Sequence, residues 1–456
     1  MNIAVALVAF IVALGVLIVF HELGHYFVAR SFGVKVLRFS IGFGRALWRF
    51  RRGRDQTEWV IAALPLGGYV KMLDEHEGPV APEETHRAFN RQSVWRRIAI
   101  VAAGPAANFL LAIVFYWMLF VGGVNEAKPI VGAPDPGTVA AAAGLARGET
   151  ILKINGESMT TWQQVRWRLL QLAVDKQPAQ LEVVDAKQHL AVRTLDLSTF
   201  DLEGFESDPL ARLGVKLDWP DTDPIVGDVV KGDVAERGGL RRGDRIVSID
   251  GRETRFWEDV VRAVRRRPGE AVQFVVLRDG EKIEITLRPA LVREGGERFG
   301  RIGAGSGGKV DPEWRNSHVI KVHYAPVAAL GRALERTWET SAFSLKMLGK
   351  MVVGQISWRN LSGPVTIADY AGQSAQLGIG AYIAYLALIS ISLGIINLLP
   401  IPLLDGGHLL YYVVEIFKGS PVSERVMELG QRVGLTLLLV LMAFAIYNDF
   451  NRLLTG

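Results

Sequence analysis

Four long apolar blocks stand out along the chain, separated by mixed and charged stretches. They cover residues 3–20, 98–123, 379–404 and 433–447. A helix needs about 20 apolar residues to cross the hydrocarbon core of a bilayer, and each block is near that length. The pattern therefore predicts four transmembrane helices. The second block is interrupted at Gly104, Pro105 and Asn108. The fourth is short, so we expect it either to be tilted little or to be extended by its flanking turns.

The first block has two interpretations, because a cleaved signal peptide is also an apolar N-terminal stretch. No basic region precedes this block. The sequence His-Glu-Leu-Gly-His at 21–25 follows it, where a signal peptide would have small residues for cleavage. We therefore expect the first block to be a retained span.

The charges beside the blocks predict their orientation. Eight Lys and Arg residues lie between positions 30 and 54, and Arg96 and Arg97 directly precede the second block. Short loops rich in Lys and Arg stay in the cytoplasm, whereas long domains cross the membrane whatever their charge. The first loop is thus predicted to be cytoplasmic. Residues 124–376 and both termini are then predicted to lie outside.

Composition excludes several kinds of chemistry. The 456-residue chain has no cysteine, so any metal site must use His, Asp and Glu, and there is no thiol nucleophile. Apolar residues make up 49% of the chain and the formal net charge is +5, but the basic residues form no stripe or reading motif for nucleic acid. A membrane protein with no nucleic-acid partner is the class that fits.

The external segment contains an internal repeat. Residues 144–151 match residues 239–246 without gaps, and Asn155-Gly156 matches Asp250-Gly251 at the same offset. Asn-Gly and Asp-Gly after a short strand are typical of tight hairpin turns. Helical stretches are expected after each hairpin, at 165–172 and 260–265. We predict two copies of a small domain, at 124–220 and 221–310.

The repeated pattern resembles the PDZ domains of bacterial envelope proteases. This resemblance implies binding of extended peptides at a strand edge beside a short Leu-Gly-like loop, for which 213–215 and 302–303 are the candidates. Spacers or size filters with no bound peptide remain an equal alternative. The connecting region at 311–376 includes an amphipathic helix at 325–353, expected either on the outer leaflet or beneath the second repeat.

The His-Glu-x-x-His sequence at 21–25 carries the first candidate site. Residues four apart share a helix face, so His21 and His25 can reach one ion, while Glu22 can accept a proton from the attacking water. The sequence lies at the cytoplasmic end of an apolar span, where ionisable groups are costly and usually functional. Two histidines capping a span are the structural alternative.

A third ligand is needed, because catalytic zinc sites typically have three protein ligands. Asp405 ends the third apolar block after Pro400 and Pro402, which break the helix there. The predicted topology brings this carboxylate to the same membrane face as the two histidines. Asp405 is therefore the candidate third ligand.

These motifs together resemble the site-2 protease family of intramembrane metalloproteases. The likeness rests on His-Glu-x-x-His at 21–25, Gly-Pro-Ala-Ala-Asn at 104–108, Asn-x-x-Pro-x-Pro-x-x-Asp-Gly at 397–406, the repeat and the four-span layout. It implies one zinc ion bound by His21, His25 and Asp405, with Glu22 as the base. Residues 41–44 and 66–71 resemble that family's membrane-associated sheet. The substrate contacts it implies are Asn397, Pro400, Pro402, Gly67, Gly68, Tyr69 and Asn108.

The expected fold is a polytopic α-helical membrane protein. It has two membrane parts, 1–123 and 377–456, with a membrane-associated β-sheet in the first and two inserted α/β PDZ-like domains between them. The resemblance implies a bacterial inner membrane and a single-span substrate: an anti-sigma factor trimmed outside, or signal-peptide remnants. An inactive membrane-anchored PDZ scaffold is the main alternative. A transporter is the second, although the spans show no repeat among themselves.

Overall fold

The computed structural model describes residues 3–198, 209–294, 297–355, 358 and 363–455. Its residues form two compact units. The helical unit comprises Met1–Val124 and His323–Phe450, and the inserted unit comprises Asn125–Val322 and Asn451–Gly456. The predicted domain at 124–220 includes residues 199–208, which lie outside the described residues. The predicted connecting region at 311–376 includes residues 356–362, of which only residue 358 is described.

Among the described residues, seven α-helices build the helical unit, numbered in chain order over the whole molecule. They are α1 Ile3–Ser31, α2 Val94–Gly122, α9 Pro326–Val352, α10 Pro364–Leu377, α11 Ile379–Leu398, α12 Asp405–Lys418 and α13 Glu424–Thr455. Four of them contain windows long and apolar enough to cross a membrane: Ala4–Ser31, Val94–Gly122, Ile379–Leu398 and Glu424–Asn451. These four correspond to the four predicted spans.

The helices differ from the sequence expectation in two places. α2 runs without interruption through Pro105. Helix α11 ends at Leu398, before Pro400 and Pro402, whose rings lack the N–H that would continue the helix. α13 covers 32 residues, so the short fourth block is extended on both sides, as expected. Two short 3₁₀ turns, Pro82–Arg87 and Phe89–Arg91, precede α2.

The helices pack closely where small residues face each other. The predicted amphipathic helix, α9, packs against α2 and α11, with Ala333 buried in the same cluster as Ala112 and Ala387. α10, which the sequence analysis did not predict, packs on α1, and a Cβ on Gly372 would touch Ala6 at 2.7 Å. Small residues let helix axes approach closely in a membrane protein, where dispersion replaces the hydrophobic effect.

β1 (Val36–Arg52) and β2 (Thr57–Met72) fold into one bent sheet. Residues 46–52 pair with 57–62. Residues 38–41 pair with 68–71 on one side and lie opposite 58–61 on the other. Gly42 and Gly44 have φ values of 92° and 86°, which allow β1 to turn back on itself. The segment around 68–71 thus forms one edge of this sheet.

The inserted unit repeats one arrangement of strands and helices. Its two four-stranded sheets have the orders β5-β4-β6-β7 and β10-β9-β11-β12. The strands are β3 Val124–Ala127, β4 Thr150–Ile154, β5 Glu157–Ser158, β6 Ala179–Val184, β7 Leu190–Leu195, β8 Val226–Val229, β9 Arg245–Ile249, β10 Arg252–Glu253, β11 Val272–Arg278, β12 Glu281–Leu287, β13 Ala290–Glu294, β14 Glu297–Arg301, β15 Ala304–Ser306 and β16 Val319–Val322. The helices are α3 Val139–Ala142, α4 Trp162–Val174, α5 Pro209–Leu213, α6 Val234–Arg237, α7 Trp257–Arg265 and α8 Pro312–His318.

The hairpins and helices expected from the repeat are present. Asn155 and Asp250 have φ values of 48° and 47°, and the glycine after each also has a positive φ, as a type I′ turn requires. α4 and α7 follow the hairpins. In the second copy, Val260 and Val264 of α7 share a buried cluster with Phe274 of β11. The two candidate Leu-Gly-like loops occupy matching places: a Cβ on Gly214 would overlap Thr138, and one on Gly303 would overlap Asp233. Thr138 and Asp233 cap α3 and α6, respectively.

Candidate metal centre

His21, Glu22 and His25 lie within α1, at its crossing with α2. All three side chains are buried. The crossing is close because two glycines face it: a Cβ on Gly24 would overlap the carbonyl of Ala103, and one on Gly104 would overlap Nε2 of His25. Glycine at these two positions leaves room for both imidazoles between the helices.

Asp405, from the C-terminal segment of the helical unit, lies beside His21 and His25. It is the first residue of α12, so its carboxylate lies at the positive end of that helix. Asp405 was expected at the end of a helical span, but α11 ends at Leu398 and six residues separate it from the start of α12. Gly406 and Gly407 allow α12 to start against the end of α11, since a Cβ on either would overlap carbonyls between Leu398 and Ile401.

The loop between α11 and α12 contains a strained residue. Leu403 has a φ of 97°, in the left-handed region that favours glycine. Such a residue costs of order 1–3 kcal/mol and persists only where the surroundings hold it. α13 packs against this loop, because a Cβ on Gly434 would overlap the carbonyl of Pro402, and one on Gly430 would overlap the Tyr411 hydroxyl.

Three potential ligand atoms meet at this point. Nε2 of His21 is 3.2 Å from Nε2 of His25 and 3.2 Å from Oδ2 of Asp405. Nε2 of His25 is 3.4 Å from the same oxygen. A tetrahedral zinc ion with bonds of about 2.0–2.1 Å separates its ligands by roughly 3.3 Å. The triangle therefore has the size that a tetrahedral zinc site requires.

The state of the carboxylate supports the same conclusion. Oδ2 of Asp405 is buried and accepts no well-formed hydrogen bond from the described residues. A buried carboxylate oxygen without a hydrogen bond is expensive unless a cation meets it. The residues present thus fit a divalent metal ion, and their nitrogen and oxygen donors suit zinc.

The outer nitrogens of the two imidazoles also have partners. Nδ1 of His25 lies 2.8 Å from the carbonyl oxygen of Ile100 on α2. Nδ1 of His21 lies 3.2 Å from the side-chain amide of Asn108. Such contacts fix the orientation and tautomer of metal-binding histidines.

Glu22 lies beside the edge of the bent sheet. A Cβ on Gly68 would touch Cγ of Glu22 at 2.9 Å and the carbonyl of Ser40 at 2.8 Å. Gly68 thus lies directly against the glutamate. Gly67 leaves room for the ring of Phe43, which stacks on Tyr69 at 6.2 Å between ring centroids.

The remaining predicted site residues are distributed unevenly around this centre. Asn397 is half-buried near the end of α11, and its side chain makes no hydrogen bond to a described residue. Pro400 is exposed and Pro402 half-buried in the loop that precedes Asp405. The hydroxyl of Tyr69 accepts a hydrogen bond from Arg38 at 3.2 Å. Asn108 is fully buried against His21.

Sequence reasoning missed the ion pair that fastens α12 to α2. Arg97 donates to Glu415 at 2.5 Å, and its guanidinium lies 4.8 Å from the ring centre of Tyr412. The sequence analysis used Arg97 only as an orientation signal. No local pattern could reveal this partner, because the two residues are 318 positions apart.

A cluster of two buried histidines and a half-buried carboxylate, with an adjacent glutamate, among helices that can cross a membrane, defines a membrane-embedded metallohydrolase. The comparison with known families agrees. The family model of peptidase family M50 matches residues 9–441, and the chain belongs to this family. The resemblance to the site-2 proteases is thereby confirmed, and the protein is an intramembrane metalloprotease of that type.

Individual relatives extend the match over nearly the whole chain. A protein of Salmonella typhimurium named regulator of sigma-E protease RseP is 43% identical over 447 residues, covering 98% of both chains. A protein of Ralstonia nicotianae whose name describes a zinc metalloprotease is 43% identical over 464 residues, again covering 98% of both. Among solved structures, an HtrA-type protease with a bound decapeptide covers 38% of this chain and 61% of its own at 20% identity. Its TM-score of 0.16 is too low to carry an argument.

Proposed function

We propose that the chain holds one zinc ion between His21, His25 and Asp405 and cuts a membrane-embedded peptide with Glu22 as general base. The observation that carries this proposal is the triangle of ligand atoms with sides of 3.2–3.4 Å, one corner of which is an unsatisfied carboxylate oxygen. The name of the Ralstonia relative supports zinc as the metal.

Each residue has a distinct part in peptide hydrolysis. A zinc ion at this site would supply Lewis acidity toward the scissile carbonyl and toward water. Glu22 takes a proton from the attacking water and returns it to the amine of the leaving peptide. The burial of Glu22 keeps bulk water away from this proton transfer.

The strand edge beside Glu22 suits an unwound substrate. A peptide bond inside a helix is shielded by its own hydrogen bonds, so a substrate span must open locally before cleavage. Added as a strand beside 68–71, it would keep its backbone hydrogen bonds while passing Glu22. Asn397, Pro400, Pro402, Gly67, Gly68 and Tyr69 are the proposed substrate contacts.

The substrate class follows from the relatives and the motifs. The Salmonella relative carries the name regulator of sigma-E protease RseP, which supports our proposal of a single-span anti-sigma factor, already trimmed outside, as substrate. Signal-peptide remnants would be a second class. The site is proposed to lie near the cytoplasmic face of a bacterial inner membrane, with both termini and the repeats outside.

The repeats at 124–220 and 221–310 are proposed to be PDZ-like domains that exclude untrimmed substrates or bind peptides. The matching hairpins, helices and Leu-Gly-like loops support this assignment. Removing residues 128–310 should permit cleavage of a substrate that still carries its external domain. Unchanged selectivity after the deletion would argue against a filter.

The central experiment compares the wild type with the Glu22→Gln variant in detergent. Bound zinc and cleavage of a single-span test substrate are measured for both. Zinc in both forms, with cleavage by the wild type alone and loss of cleavage on chelation, is the expected result. Glu83→Gln, at an exposed position, is the matched control and should cleave normally. Equal cleavage by the Glu22→Gln form would remove the general-base assignment, and a wild type without zinc would remove the metal site.

A further inference from the structure

The contact between His21 and Asn108 leaves one atom of the Asn108 amide without a hydrogen-bond partner. Nδ2 of Asn108 faces Nδ1 of His21 at 3.2 Å. Oδ1 of the same amide is buried and has no hydrogen-bond partner among the described residues. Asn108 is fully buried, so solvent cannot complete either interaction.

The protonation of His21 decides which amide atom belongs opposite it. Nε2 of His21 points at His25 and Asp405, the atoms of the proposed metal triangle. A neutral imidazole that offers Nε2 to a metal carries its proton on Nδ1. Nδ1 is then a donor, and an amide NH₂ opposite it would place two donors face to face.

Turning the amide by half a rotation resolves both defects. The oxygen and nitrogen of an asparagine amide are nearly identical in shape, so hydrogen bonding sets their assignment. In the rotated form Oδ1 accepts the proton of Nδ1, and the oxygen that lacked a partner gains one. The hydroxyl of Ser390 donates to the backbone carbonyl of Asn108 at 2.7 Å, which holds this residue between α2 and α11.

The second histidine has an equivalent arrangement built from the backbone. Nδ1 of His25 has the carbonyl oxygen of Ile100 as its acceptor at 2.8 Å. Both acceptors therefore come from α2, eight residues apart. The acceptor for His21 belongs to a side chain, so a mutation can remove it.

We infer that Asn108 is a positioning residue: its Oδ1 accepts a hydrogen bond from Nδ1 of His21 and so presents Nε2 to the metal. This inference rests on the proposed metal site. It gives Asn108 a role different from the substrate contact implied by resemblance, because its fully buried side chain is held against His21.

The test measures how fast the purified, zinc-loaded full chain releases zinc to an excess of chelator. Asn108→Leu keeps the size of the side chain and removes the acceptor. Loss of such a partner typically weakens metal affinity by about 10- to 100-fold, and we expect zinc release to accelerate within this range. Asn108→Asp keeps an acceptor and has no NH₂, so it should release zinc no faster than the wild type.

Two controls separate this role from a structural one. Ser390→Ala removes the bond to the backbone of Asn108 and should leave the rate within about twofold, because the Nδ1 contact survives. Thermal unfolding of the zinc-free proteins should be similar for the Leu and Asp variants. If Asn108→Leu does not fold, the rate for Asn108→Asp decides.

Two outcomes would overturn the inference. Fast zinc release by Asn108→Asp would mean that the NH₂ group is the one required. A wild-type rate in Asn108→Leu would mean that His21 needs no acceptor. Failure of the wild type to bind any zinc would instead overturn the proposed metal site.

Discussion

Two aspartates, one in each unit of the molecule, have opposite surroundings. Asp244 of the inserted unit is 1% exposed and has every oxygen satisfied: Arg278 donates to both at 2.7 Å, and the N–H of Arg241 adds a third bond. Asp405 of the helical unit has a buried oxygen that faces two imidazole nitrogens and accepts no well-formed hydrogen bond from the described residues. A satisfied buried charge stabilises a fold, whereas an unsatisfied one beside other ligands indicates a binding site.

The largest expected effect comes from Asp405→Asn. The amide loses the negative charge of a proposed ligand, so we expect zinc affinity to fall by more than about 100-fold, beyond the range for partners outside the ligand set. Cleavage should be lost with it. Bound zinc and proteolysis of a single-span substrate measure the effect. Asp244→Asn is the matched control, and zinc loss in that variant as well would break the comparison between the two aspartates.

Gly104→Ala should have the next largest effect, because it changes the centre without touching a ligand. The new methyl group would overlap Nε2 of His25 and lie 2.8 Å from Cε1 of His21. The imidazoles must move. We therefore expect zinc release to accelerate and the activity to fall, each by about 10- to 100-fold, as for other losses of ligand orientation. Gly15→Ala, with nothing within 4 Å of the new atom, should behave like the wild type. A wild-type zinc-release rate in Gly104→Ala would mean that the crossing is looser than its glycines suggest.

The two repeats allow a comparison in which smaller effects on stability are expected, and in which one carboxylate should matter more than the other. Glu149 of the first copy corresponds to Asp244, but Arg193 gives it one bond at 2.8 Å, and Nε of Arg193 has no partner among the described residues. Breaking a buried ion pair costs about 3–5 kcal/mol. We expect Asp244→Asn to approach the lower value and Glu149→Gln to cost less. Hydrogen exchange of β9 and β4 measures each copy locally, and equal acceleration would contradict the ranking.

The ion pair of Asp244 with Arg278 predicts that the stability of the fold depends on pH. Burial alone would raise the pKa of Asp244, but the Arg278 guanidinium and the Arg241 N–H outweigh it and hold the pKa below its usual range. The carboxylate therefore stabilises the fold above its unfolded-state pKa of about 3.9, and this contribution disappears as the pH falls through the lower folded-state value. Thermal unfolding followed from pH 6 to about pH 3 should show this loss in the wild type and less of it in Asp244→Asn.

Much of this arrangement could be predicted from local sequence, and the rest depends on distant contacts. Apolar length predicted the four spans, and helix periodicity with the predicted topology put His21, His25 and Asp405 in one candidate site, where the structure brings them together. The start of α12 at Asp405 and the existence of α10 were missed, because short helices after proline and glycine depend on what they pack against. The contact of Asn108 with His21 joins positions 87 residues apart, and no periodicity predicts it.

A third aspartate tests whether Asp405 differs because its oxygen lacks a hydrogen bond or because it lies in the helical unit. Asp449 of α13 is 1% exposed and lies in the helical unit, yet it is fully satisfied: it accepts from the N–H groups of Gly363, Val365 and Thr366 and from the Thr366 hydroxyl. It thereby caps the N-terminus of α10 from another helix, and loss of such a cap costs about 1 kcal/mol.

Asp449→Asn should therefore have the smallest effect of the series. An amide can still accept from fewer of these donors, so we expect hydrogen exchange at the start of α10 to accelerate several-fold, in line with a loss of about 1 kcal/mol. Bound zinc should remain at the wild-type level. If zinc were lost, burial in the helical unit would be enough to couple an aspartate to the metal. If zinc stays while α10 loosens, the unsatisfied oxygen of Asp405 is what separates the metal site from a structural carboxylate in the same surroundings.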